Sequence, residues 1–90
     1  MQKYESAQLD EFWKLYYGLP GWVRERAREA YQRFKDDPSH PGLNFEQLGC
    51  NAAWYSVRIT GKYRAVGQVD GKRIVWFWIG SHTDFDKKFQ

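Results

Sequence analysis

The chain has a single cysteine, Cys50, and two histidines, His40 and His82. One cysteine excludes an internal disulfide and a multi-cysteine metal site. Neither histidine has a second strong donor at metal-ligand spacing. No apolar run is long enough to span a membrane. The stretch Met1-Gln-Lys-Tyr-Glu-Ser6 lacks the apolar core of a signal peptide. There is no glycine-rich loop to cradle a phosphate, and no repeat, low-complexity segment or linker. These absences lead us to expect one domain over residues 1–90, cytoplasmic, with no membrane association, cofactor or metal.

Aromatic side chains are abundant. They make up 19% of the chain, enough large rings to build a core in so small a domain. The formal net charge is +3 and unevenly placed. Residues 1–41 balance to zero, so the whole excess falls in residues 42–90. Five cations (Arg58, Lys62, Arg64, Lys72, Arg73) and one anion (Asp70) lie between Arg58 and Arg73. A basic surface of this kind suits nucleic acid or an acidic protein partner, or it serves only solubility.

The first half reads as helical. Leu9, Phe12, Trp13 and Tyr16 fall on one helical face. Ser6 is the expected N-cap, with Asp10 and Glu11 in the first turn. Pro20 breaks this helix. A second begins near Gly21 or Trp22, with Val23, Ala27, Ala30, Tyr31 and Phe34 on its apolar face and a Glu25–Arg28 pair on its polar one. The short connection predicts an antiparallel helical hairpin. Asp37-Pro38 ends the second helix. His40 lies in the loop that follows and reads as a turn residue.

The second half reads as strands at 43–48, 55–60, 63–69 and 73–79. Tyr55, Val57 and Ile59 alternate with Ser56 and Arg58. A three-residue loop, Thr60-Gly61-Lys62, would pair Ile59 with Tyr63, Val57 with Ala65, and Arg58 with Arg64. Asp70-Gly71 is a hairpin signal. The last strand is apolar on both faces, with Ile74, Trp76 and Trp78 on one and Val75, Phe77 and Ile79 on the other. The hairpin can cover only one face, so a second cover is needed. The expected fold is α+β, with an N-terminal antiparallel helical hairpin on one face of a four-stranded antiparallel sheet.

That register sets Arg58 directly against Arg64. Like charges directly opposite destabilise a strand pair, so an anion is expected beside them. The candidates are an internal carboxylate (Glu46, Asp84 or Asp86), a bound phosphate, or a partner's acidic residue. His82 follows the last strand and should emerge near the turn between the arginine-bearing strands. Two arginines and a histidine can bind and cleave a phosphodiester without a metal. Lys62 and Arg73 are candidate RNA contacts. Tyr63, with Trp54 and Tyr55, can stack on bases or belong to the core. Nothing places a base beside Cys50.

At these residues the chain resembles the RelE/ParE family of bacterial type II toxins. The matching pieces are Leu19-Pro20 and the helix after it, Phe34 through Phe45, Tyr55-Ser-Val-Arg58-Ile, Tyr63-Arg64-Ala, and Trp76 through Asp86. They span nearly the whole chain in the family's order. The resemblance implies helices against an antiparallel sheet, and a basic toxin neutralised by a cognate antitoxin. Relatives either cleave mRNA on the ribosome or inhibit DNA gyrase. By resemblance Arg64 is the arginine of the Tyr-Arg strand motif, Arg58 a basic position before it, and His82 the proton-transfer position. These three are the candidate catalytic residues.

The chain departs from the family at Ser56 and at Glu46-Gln47, where relatives carry lysines, and at Phe85, where tyrosine is commoner. Phenylalanine does no acid–base work. Glu46 is left with two candidate roles, as a base or as the internal partner of Arg58. Three expectations remain open: a ribosome-dependent mRNA endoribonuclease, a gyrase inhibitor that works by occupying a surface, and an inactive relative that keeps antitoxin binding.

Overall fold

The computed structural model describes residues 3–90. The elements run β1 (Glu5–Gln8), α1 (Asp10–Tyr17), α2 (Gly21–Asp36), β2 (Glu46–Leu48), β3 (Asn51–Thr60), β4 (Tyr63–Asp70), β5 (Arg73–Ser81) and α3 (His82–Phe89). The sheet has five strands in the order β1-β5-β4-β3-β2. Strand β1 runs parallel to β5, and the other pairings are antiparallel. The expected four-stranded antiparallel sheet is thus a five-stranded mixed one.

Strand β1 has no sequence signal, because Glu5-Ser-Ala-Gln8 carries no β-branched or aromatic residue. It forms because β5 would otherwise leave a row of unpaired backbone groups at the sheet edge. Glu5 N–H donates to the Lys72 carbonyl at 2.8 Å, and Leu9 N–H to that of Trp76 at 3.0 Å. Ser6 is therefore a strand residue opposite Ile74, not a helix cap. Helix α1 begins after Leu9, which supplies no side-chain cap.

The two N-terminal helices both cover one sheet face. They do not form a closely paired hairpin: α1 packs over β5 and α2 over β3. Arg28 Nη1 donates to the Tyr16 hydroxyl at 2.9 Å and ties one helix to the other. No Glu25–Arg28 ion pair is present among the described residues. Val23, Ala27, Ala30 and Phe34 are buried as the periodicity predicts, while Tyr31 is half-buried. In α1 only Phe12 and Tyr16 are buried; Leu9 is 46% exposed and Trp13 39%. His40 is the turn residue it reads as, its Nδ1 accepting from Gly42 N–H at 3.0 Å. Asp37 Oδ1 accepts from both Ser39 Oγ and Ser39 N–H. Those bonds, side-chain first, hold the Asp37 carboxyl below its ordinary range.

Two bulges adjust the strand faces. Arg58 pairs with Arg64 and Val57 with Ala65, as predicted, but Tyr63 lies opposite Thr60 and leaves Ile59 as the extra residue. In β5, Val66 faces Trp78 while Gly67 faces Trp76, so Phe77 is the extra residue. The face pattern shifts there. Ile74, Trp76 and Ile79 join the core under α1 and α2. Trp78 turns to the opposite face, with Leu48, Val66, Phe85 and Phe89.

Helix α3 is the second cover that β5 requires. Ser81 Oγ accepts from Asp84 N–H at 3.1 Å and caps it. Phe85 and Phe89, one turn apart, are buried against the sheet.

Gly67 has a packing role. A Cβ there would stand 2.8 Å from Ile74 Cγ1 and 2.9 Å from Trp76 Cε3. Gly67→Ala should therefore destabilise the domain by about 1–3 kcal/mol, read as a lowered urea midpoint with unchanged slope. An unchanged midpoint would show that the two side chains can move aside.

Candidate functional site

Arg58 and Arg64 are direct cross-strand neighbours on the face of the sheet that also carries α3. Glu46 pairs with Ser56 and shares that face. Arg64 is half-buried and anchored, with Nη1 donating to the Thr60 carbonyl at 2.7 Å and the Tyr63 carbonyl at 3.1 Å. Arg58 is exposed, and its Nη2 lies 3.7 Å from where a Cβ on Gly61 would sit. Its guanidinium therefore folds back toward the turn.

Among the described residues, neither arginine has a carboxylate within ion-pair distance. Of the two roles open to Glu46, the internal salt bridge to Arg58 is not formed among the described residues. Burial, and then the Arg58 charge, push the Arg64 guanidinium down from its ordinary value, and Asp86 and Glu46 partly oppose this. Arg64 still carries its charge at neutral pH. Two cations side by side, with no paired anion among the described residues, have the chemistry to hold one.

His82 opens α3. Its N–H donates to the Lys62 carbonyl at 2.7 Å, which pins it to the turn between β3 and β4. It therefore stands at the turn end of the arginine strands, as the sequence predicts. Its ring stacks on Phe85 with centroids 6.0 Å apart, and its Nδ1 lies 3.5 Å from Asp86 Oδ2. Both side chains are a little under half exposed, 44% and 45%.

The remaining sequence candidates divide. Lys62 is exposed in the turn itself. Tyr63 lies edge-on to Trp22 of α2, ring centroids 5.9 Å apart, so it belongs to the helix-covered side. Arg73 stands opposite Asp70 and Glu5 at the far end of the sheet. The run of β4 puts it about 20 Å from Arg64. The five cations therefore do not make one patch. Phe85, which reads as a missing hydroxyl, is a core residue, 4% exposed. Asp86 is the site residue that sequence reasoning left undistinguished. Its signal was its place four residues after His82, visible only once α3 is recognised. No group of three or more metal-capable side chains occurs among the described residues, and none of their helices is long and apolar enough to cross a membrane.

Comparison with known proteins bears on the family and the fold. The ParE-like toxin domain matches residues 21–87. No curated protein matches the chain. A chain of the RelB–RelE antitoxin–toxin complex from Methanococcus jannaschii superposes with TM-score 0.74 at 19% identity, over 93% of this chain and 99% of that one. YafQ from E. coli gives 0.73 at 7% identity, over 92% and 98%. The YoeB/ParE toxin from Agrobacterium tumefaciens gives 0.67 at 22%, over 91% and 99%. At these identities the likeness is one of fold. The domain match covers most of the chain, from the start of α2 into α3, and the chain belongs to the ParE-like toxin family.

Proposed function

We propose that this chain is the toxin of a toxin–antitoxin pair and acts as an mRNA endoribonuclease on the ribosome. The observation that carries this is the Arg58–Arg64 pair, without an ion-paired carboxylate among the described residues and flanked by His82. The two guanidiniums hold the scissile phosphate and stabilise the charge that grows on it. The ribose 2′-oxygen attacks phosphorus and loses its proton to Glu46. The bond from phosphorus to the 5′-oxygen breaks, and His82 gives that oxygen a proton. The products are a 2′,3′-cyclic phosphate and a free 5′-hydroxyl. The arginines supply the positive charge this chemistry needs. Likeness to a chain of a RelB–RelE complex supports a cognate antitoxin, which would lay an acidic or amphipathic segment over the arginine face.

The test is primer extension on messages bound to programmed ribosomes, comparing wild type with His82→Gln. We expect ribosome-dependent cuts that weaken about 10²–10⁴-fold in the variant. Equal cutting by both would remove His82 from the mechanism. No cutting by wild type would move the weight to inhibition of DNA gyrase. One observation favours that second reading: Trp13, Tyr17 and Trp22 are 39%, 69% and 56% exposed on the helical side, an aromatic surface fit for a protein partner. Gyrase inhibition would then depend on those rings and not on His82. If the chain inhibits neither target yet binds its antitoxin, it is an inactive relative.

A further inference from the structure

We propose that Asp86 is a positioning residue that orients His82, so that Nε2 is the nitrogen presented to the substrate; this rests on the nuclease reading above. His82 is held at three points. Its backbone N–H is bonded to the Lys62 carbonyl, its ring lies on Phe85, and Nδ1 faces Asp86 Oδ2 across one helical turn at 3.5 Å. A carboxylate beside Nδ1 places the proton of the neutral ring on that nitrogen. Nε2 is then the atom left for the reaction. It accepts a proton when the ring is neutral and donates one when the ring is charged.

Sequence position alone does not create this contact. It requires α3 to be helical and seated, which Ser81, Phe85 and Phe89 provide. Asp86 also lies near enough to Arg64 to offset part of the repulsion from Arg58. The same carboxylate thus lies beside the proton donor and carries its charge toward the phosphate anchor. Its two effects on the reaction are opposite. Orientation of His82 speeds the proton transfer, while negative charge beside Arg64 weakens phosphate binding. Removing Asp86 should therefore slow cleavage without weakening substrate binding, a split that a purely structural role would not produce.

The experiment uses the full chain, with Asp86→Ala and Asp86→Glu compared with wild type. Alanine is a good helix former, so α3 should persist and the melting temperature should hold. Single-turnover cleavage on programmed ribosomes should fall about 10–100-fold in Asp86→Ala, with half-saturation unchanged or lower, and recover in large part in Asp86→Glu. Long-range proton–nitrogen NMR of the imidazole should show the neutral ring protonated on Nδ1 in wild type and shifted toward Nε2 in Asp86→Ala. If the Nδ1-protonated form does not dominate in wild type, or persists in Asp86→Ala, the proposal is overturned. The NMR result stands whether or not the protein cleaves RNA. Absence of cleavage in wild type alone counts against the nuclease reading, and an unmoved tautomer counts against the positioning role.

Discussion

Arg64→Ala is expected to reduce ribosome-dependent cleavage about 10²–10³-fold, the scale for losing one preorganised charge-stabilising group. The side chain is only partly buried and its neighbours Ala65 and Val66 carry the local packing. The fold should therefore survive, with unchanged circular dichroism and a stability loss of about 1–3 kcal/mol from the two carbonyl bonds given up. Arg64→Lys should restore little. The carbonyls of Thr60 and Tyr63 hold the guanidinium at Nη1, leaving its other N–H groups for the phosphate. A lysine has one nitrogen to meet both demands. Full activity in Arg64→Lys would show that point charge alone suffices. Full activity in Arg64→Ala, with Arg58 intact, would shift phosphate binding to Arg58.

Phe85→Ala should be among the most damaging single changes to stability. Phe85 is 4% exposed and packs with Trp78, Phe89 and Val66 in the core under α3. Truncating a buried phenylalanine costs about 3–5 kcal/mol. A small domain has roughly 5–15 kcal/mol in all. Equilibrium urea unfolding should show a large drop in midpoint. The second expected effect is local. With Phe85 gone, His82 loses the ring it stacks on and α3 loses a main hold on the sheet, so cleavage should fall even where the variant is still folded. Phe85→Leu keeps apolar volume and should lose less stability, yet it still removes the flat surface beneath the imidazole. A Phe85→Ala variant as stable as wild type would mean that α3 is held by Phe89 alone.

The arginine site was largely legible in the sequence because two local rules produce it. Period-2 alternation puts Arg58 and Arg64 on the same face, and the short turn at Gly61 sets them opposite each other. The bulge at Ile59 reconciles a two-residue turn with that pairing, which is why Arg58–Arg64 held while Ile59–Tyr63 did not. The placement of His82 followed from the length of β5. Arg73 was misplaced for the converse reason: nearness along the chain was read as nearness in space, although a strand of this length carries it to the other end of the sheet.

By itself, the sequence determined the apolar face of α2, the hairpins β3–β4 and β4–β5, the arginine pair and the family resemblance. Each rests on contacts between residues close in the chain, where spacing alone dictates geometry. The tertiary structure decided what depends on distant partners. Strand β1 exists because β5 has a free edge, not because of its own residues. Trp78 and Ile79 exchange faces because Phe77 is an extra, unpaired residue of β5 beside the Gly67–Trp76 pair. Helix α3 is too short to be stable alone and is held by burial of Phe85 and Phe89 on a sheet face that the other helices leave open. Only that docking brings Asp86 to His82 and both to the arginines.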